Sequence, residues 1–133
     1  MADIYQTLLT DDEIRKIKDI LNQKSHNIGN CIIWTGETTQ DGYGILRHTI
    51  RHKRLKLRVH RILFYLLTHC SPIHSQLQHV SHLCNQKLCL RFEHLSLEPA
   101  VINNQRKTCF AAGVCFGHDT YPRCALRYAN CLQ

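Results

Sequence analysis

Ser81-His82-Leu83-Cys84-Asn85-Gln86-Lys87-Leu88-Cys89-Leu90-Arg91-Phe92-Glu93-His94-Leu95 is the stretch on which the fold turns. Cys84, Cys89 and His94, with four residues between each and the next, carry the soft donors that structural zinc sites use. A closed tetrahedral site needs four ligands, so one must come from elsewhere in the chain. Cys31 is the candidate, because it begins the apolar run Cys31-Ile32-Ile33-Trp34; a buried free thiol is its alternative reading. His82 is not needed by a zinc staple. It is needed by a chain that uses zinc to hold a catalytic histidine, and otherwise it reads as a spare ligand.

A second set lies downstream. Cys109, Cys115, His118 and Cys124 fall within sixteen residues and suffice for a closed site of three cysteines and one histidine. Buried thiols or a redox pair are the alternatives. Cys70 and Cys131 remain, and read as core or surface thiols.

The bulk numbers agree with stapling. The 133 residues are enough for one domain with a modest core, and eight cysteines with ten histidines supply staples for it. Met1-Ala2-Asp3-Ile4-Tyr5-Gln6 has no basic region followed by an apolar run, so no secretory signal is expected, and interleaved Cys and His favour zinc over disulfides. The apolar cluster Ile62 to Leu67 is far too short to span a membrane, so no membrane partner is expected. A formal charge of +7 points to a polyanion, since Lys and Arg gain affinity by releasing counterions from nucleic acid.

Upstream, Thr10-Asp11-Asp12-Glu13 is a capping box, and Ile14, Ile17 and Leu21 predict a helix over 11–23. Ser25 to Asn30 reads as loop, and Cys31 to Trp34 as a short strand closed by Gly36. From Tyr43 to Arg61 the period is two: Leu55, Leu57 and Val59 alternate with Arg54, Lys56, Arg58 and His60. Tyr43 to Ile50 is the partner strand, with Arg51-His52-Lys53 as the turn. Such a ribbon, apolar on one face and basic on the other, fits the major groove of DNA; a solvated sheet face is the alternative. A core helix follows within Val59 to His69, then loop from Ser71 to Gln78. The ligand cluster is read as strand, loop and turn over 80–98, Asn103 to Lys107 as helix, and the chain from Cys109 as loop-rich. The fold class expected is α+β.

Cys31-Ile32-Ile33-Trp34-Thr35-Gly36, Gly42-Tyr43-Gly44, Val59-His60-Arg61, Ser81-His82-Leu83-Cys84, Cys89, His94-Leu95, Asn103 and Arg106 follow one another in an order that resembles the ββα-metal nucleases, the HNH-like or His-Me finger group. With Cys109, Cys115, His118 and Cys124 added, the chain resembles the His-Cys box homing endonucleases and their zinc-binding loop region. The resemblance implies a small zinc-stapled domain with an antiparallel ribbon, a ββα-metal active site and two structural zinc ions. It divides the chain into a helical segment, 1–30, a core with the first zinc, 31–108, and a second zinc loop and tail, 109–133. It implies Cys31, Cys84, Cys89 and His94 for one zinc, and Cys109, Cys115, His118 and Cys124 for the other. It assigns His82 as general base and Asn103 as ligand of one catalytic magnesium.

The expected activity is that of a magnesium-dependent endonuclease hydrolysing double-stranded DNA, site-specific in the homing manner. Arg47 and Arg106 both suit contact with the scissile phosphate, while Arg47, Arg54, Lys56 and Arg58 suit DNA binding. A homodimer would set two active sites across the strands, although only nine residues follow Cys124 to build a long arm. A DNA substrate implies an intracellular location, nuclear in a eukaryote. The competing function is a non-catalytic zinc DNA-binding module on the same scaffold, with Asn103 merely capping a helix.

Overall fold

A computed structural model describes residues 9–68 and 78–126; Cys70, Cys131, the N-terminal hexapeptide and most of the 71–78 loop lie outside them. The first helix, α1 (Asp11–Gln23), starts at the capping box: the Glu13 amide donates to the Thr10 hydroxyl at 3.1 Å and the Thr10 amide donates back to Glu13 at 2.8 Å. Its buried residues, Ile17 and Leu21, join the core.

Ser25 to Asn30 is not all loop. Ser25–Ile28 forms β1, antiparallel to β2 (Cys31–Trp34), and Gly29 turns the chain with a φ of 58°. Period-two reading misses β1 because three of its four residues are exposed. Trp34 is buried between two glycines. A Cβ at Gly36 would lie 2.4 Å from the indole, and one at Gly44 2.6 Å from both Trp34 and Val59. Both positions therefore exclude side chains.

The ribbon comprises β3 (Ile45–Ile50) and β4 (Lys53–Arg58), in a register that pairs Arg47 with Lys56 and Thr49 with Arg54. Only Arg51 and His52 make the turn, with φ of 50° and 68°, and Lys53 already belongs to the strand. Alternation then stops two residues earlier than the sequence pattern does. Val59 and His60 open α2 (Val59–Leu67), which buries Val59, His60, Ile62, Tyr65 and Leu66. Its apolar positions recur at helical spacing, and burying them outweighs continuing the strand.

The last unit is a third antiparallel strand pair followed by a helix. β5 (Gln78–His82) pairs antiparallel with β6 (Leu95–Pro99), matching His82 with Leu95, and α3 (Ala100–Ala112) follows directly from Pro99. α3 extends well beyond the predicted Asn103–Lys107 and carries Cys109, which the sequence reading put in loop. Gly113, in the left-handed conformation at φ 75°, ends it. The architecture is α+β: three antiparallel strand pairs and three helices among the described residues. No described helix is long and apolar enough to cross a membrane.

Candidate metal centres and catalytic cleft

The hairpin β5–β6 brings the first ligand set together. Past His82 the ladder continues, with the Leu83 amide donating to the His94 carbonyl at 2.7 Å, so Cys84 and His94 face each other across the loop. Residues 88–90 then lie along β2: Trp34 N–H donates to Leu88 O at 2.9 Å and Leu90 N–H to Ile32 O at 2.6 Å. This lateral pairing bridges Ile33 to Cys89 and delivers Cys31 to the cluster. Cys31, the ligand distant in sequence, arrives through backbone pairing.

Tetrahedral zinc, with bonds near 2.3 Å to sulfur and near 2.0 Å to nitrogen, sets its ligand atoms about 3.5–3.8 Å apart. Cys31 Sγ lies 3.6 Å from Cys84 Sγ and 3.6 Å from His94 Nδ1, and Cys89 Sγ lies 3.5 Å from the same nitrogen. All four residues are buried. The set fits a closed structural zinc site. Cys89 is pushed down to about 6 by the hydrogen bond from the Cys84 thiol, and the same sharing pushes Cys84 upward, so the pair starts with one thiolate in place. Cys31 is disulfide-bonded in this structure, a state that competes with ligation, so a four-ligand site requires its sulfur reduced.

The second set closes around His118. Its Nε2 lies 3.5, 3.3 and 3.4 Å from the sulfurs of Cys109, Cys115 and Cys124. Its other ring nitrogen pairs with Gln105 Oε1 at 3.0 Å, which fixes the tautomer that leaves Nε2 for metal. These four also fit structural zinc, and they tie the loop after Gly113 to α3. Burial pushes the Cys124 thiol up to about 12 against an opposing hydrogen bond from Arg106, so zinc must displace a firmly held proton there.

His82, at the end of β5, stands apart from both sets. It bonds the backbone carbonyl of Cys89 through its ring, while Nε2 is buried without a hydrogen-bond partner. Burial lowers its pKa to about 4, so the ring is neutral at neutral pH. Its ring packs 4.7 Å from that of His60, which in turn stacks 5.5 Å from Tyr43. Arg58 and Lys87 both lie over the Tyr43 ring, 4.9 and 5.0 Å from its centre. Sequence reading assigned Tyr43 and His60 no role, and nothing in a single sequence reports that their rings pack, tilted, against His82.

His82 and Asn103 line one cleft of about 550 Å³ with Tyr43, Lys56, Arg58 and Lys107. A second hollow of about 260 Å³ also includes His82, Asn103 and Lys107, together with Lys87. Asn103, in the first turn of α3, is no helix cap; Pro99 takes that position. Its amide oxygen accepts from the Ser81 hydroxyl at 2.7 Å, and its nitrogen pairs with His79 Nδ1 at 3.2 Å. The amide is thus held in one orientation, with a second oxygen lone pair to spare.

The two arginines named for the phosphate differ from that expectation. Arg106 is fully buried: Nε and one terminal nitrogen donate to Glu98 at 2.7 Å each, and the other donates to Cys124 Sγ at 3.5 Å. All its nitrogens are committed inside the protein. Arg47 sits on the ribbon's outer face and makes a two-pronged pair with Glu37 at 3.0–3.2 Å, outside both hollows. It shares that face with Arg54, Lys56 and Arg58, so the four basic side chains project together.

The model of the zinc-binding loop region of homing endonucleases matches residues 21–132. The chain belongs to that family. No curated protein and no solved structure matches the chain. As a homing-endonuclease zinc-binding region, the chain has both Cys/His clusters inside the matched span. The family model carries the nuclease association and, with it, DNA as substrate or partner.

Proposed function

We propose that this chain is a metal-dependent endonuclease that hydrolyses double-stranded DNA, with His82 as general base and a divalent cation, magnesium by its oxygen donor, at Asn103. The observation that carries the reading is the split state of the His82 ring: one nitrogen bound to the Cys89 carbonyl, the other without a partner beside a cation-lined cleft. Buried nitrogens are normally bonded, and one left open next to a hollow lined by Lys56, Arg58 and Lys107 is suited to bind a water. Neutral His82 takes a proton from that water as its oxygen attacks phosphorus. The P–O3′ bond breaks, and the departing oxygen gains a proton from solvent. The Cys89 carbonyl holds the ring's tautomer and stabilises the imidazolium that forms. Asn103 would offer a hard oxygen ligand to a divalent cation, which would supply charge neutralisation for the phosphate and the leaving oxygen. Both zinc sites serve as scaffold.

The ribbon would read the major groove through Arg47, Arg54, Lys56 and Arg58, with Arg47 exchanging Glu37 for phosphate. A homodimer would supply two clefts for the two strands, and sedimentation with and without DNA measures it. In a eukaryotic host such an enzyme works in the nucleus.

A second reading, a non-catalytic DNA-binding module, draws on one observation: the open nitrogen of His82 is shut from solvent in the free chain. Cleavage of supercoiled plasmid with magnesium, beside His82→Ala and EDTA controls, separates the two.

A further inference from the structure

Hydrolysis of a phosphodiester gathers charge on the phosphate oxygens, so a cation beside base and metal ligand lowers the barrier. Arg106 has no nitrogen left, and Arg47 lies outside both hollows. Among the other cations that line them, Arg61 donates to the Gln78 carbonyl at 3.1 Å. Lys87 donates to the Asp41 carbonyl at 2.7 Å and, like Arg58, lies over Tyr43. Lys56 belongs to one hollow alone. Lys107 lines both, as His82 and Asn103 do, and it has no ion-pair partner among the described residues. It is exposed and one helical turn beyond Asn103, so their Cβ atoms lie roughly 5–6 Å apart on one face of α3.

We propose that Lys107 is a catalytic residue whose ammonium group contacts the scissile phosphate between His82 and Asn103. The assignment rests on the nuclease reading. It gives this chain a lysine on α3 for a task the sequence suggested for Arg47 or Arg106. A flexible four-carbon stem reaches the phosphate as a point charge, so guanidinium at the same position serves in part and a neutral amide does not.

The experiment measures single-turnover cleavage of saturating duplex DNA with magnesium for wild type, Lys107→Ala, Lys107→Gln, Lys107→Arg and His82→Ala. Zinc content, thermal midpoint and DNA Kd are measured alongside. The expected result is a rate lower by about ten- to a hundredfold in Lys107→Ala and Lys107→Gln. Lys107→Arg recovers part of it, and in all three variants zinc content and midpoint are unchanged and Kd is weakened less than about threefold. Lys107→Ala cutting at the wild-type rate beside an inactive His82→Ala overturns the Lys107 assignment alone. A loss seen wholly in Kd overturns it too, because the lysine then only tethers DNA. Wild type that cuts nothing overturns the nuclease reading and this assignment with it.

Discussion

His82 is hydrogen-bonded through its ring to the backbone carbonyl of Cys89, so the candidate base is oriented by a residue of the first metal set. The two positions are seven apart in sequence and meet because the loop between β5 and β6 folds back onto β2. A structural zinc there would therefore fix the base as well as the fold. Any change that loosens the loop should reach the chemistry.

The first expected outcome concerns metal content. Reduced protein should bind about two zinc ions per chain, and Cys115→Ser or Cys84→Ser should each lose one. Removing zinc from the first set should loosen the region around it, since the small buried cluster of Cys31, Ile33, Cys84 and Cys89 is built mostly from the ligands themselves. Native mass spectrometry with and without reductant reads both effects. Full zinc loading with Cys31 still oxidised would remove it from the ligand set.

Arg106 should matter for stability before anything else. Its partner Glu98 is fully buried, so Arg106→Met leaves an uncompensated carboxylate and should cost about 3–5 kcal/mol in urea unfolding. Arg47→Ala, by contrast, breaks a half-exposed, solvent-screened pair and should leave the urea midpoint close to that of wild type. If Arg47 contacts phosphate, its loss should lower the salt dependence of DNA binding by about one counterion.

Acid should destabilise the fold before carboxylates titrate. His60 and His82 are both held below the ordinary histidine range, first of all by burial. The unfolded chain therefore binds more protons than the folded one below pH 6.5. Stability is fully present above about 6.5 and falls as pH drops toward 4, with His82 alone worth up to about 3 kcal/mol. His60→Leu should shrink the fall in urea midpoint between pH 7.5 and 5.5. An equal fall in that variant would exclude His60 as a source.

The ribbon turn offers a test of backbone strain. His52 holds a φ of 68° without being glycine. His52→Gly should raise stability by up to about 1 kcal/mol, offset in part by the extra freedom of the unfolded chain. Thermal unfolding of the two proteins decides it.

Much of this was readable from residue types. The Thr10–Glu13 capping box, the alternation of Arg54, Lys56 and Arg58 with Leu55 and Leu57, and the clustered Cys84, Cys89, His94 and Cys109–Cys124 ligand types follow from local chemistry, whereas Cys31 was only a candidate until backbone pairing placed it. β1 was not readable, because Ser25, His26 and Asn27 carry no apolar alternation and pair only through their backbone. The division between Arg106 and Lys107 was hidden for another reason. Adjacent residues on a helix point about 100° apart, so one turns inward and one toward the cleft. Which is which depends on Glu98, a residue whose burial no pattern announces. The tilted packing of His60 against His82 depends likewise on how α2 meets β5.

The central claim is that His82 is a base held by zinc scaffold. Its most direct test is the cleavage of supercoiled plasmid by the zinc-loaded chain with magnesium. The account predicts nicked and linear products for wild type, none with EDTA, and at least a hundredfold loss for His82→Ala with zinc content and DNA binding intact. His82→Ala cutting as fast as wild type, or wild type binding DNA but cutting it under no divalent cation, would contradict it.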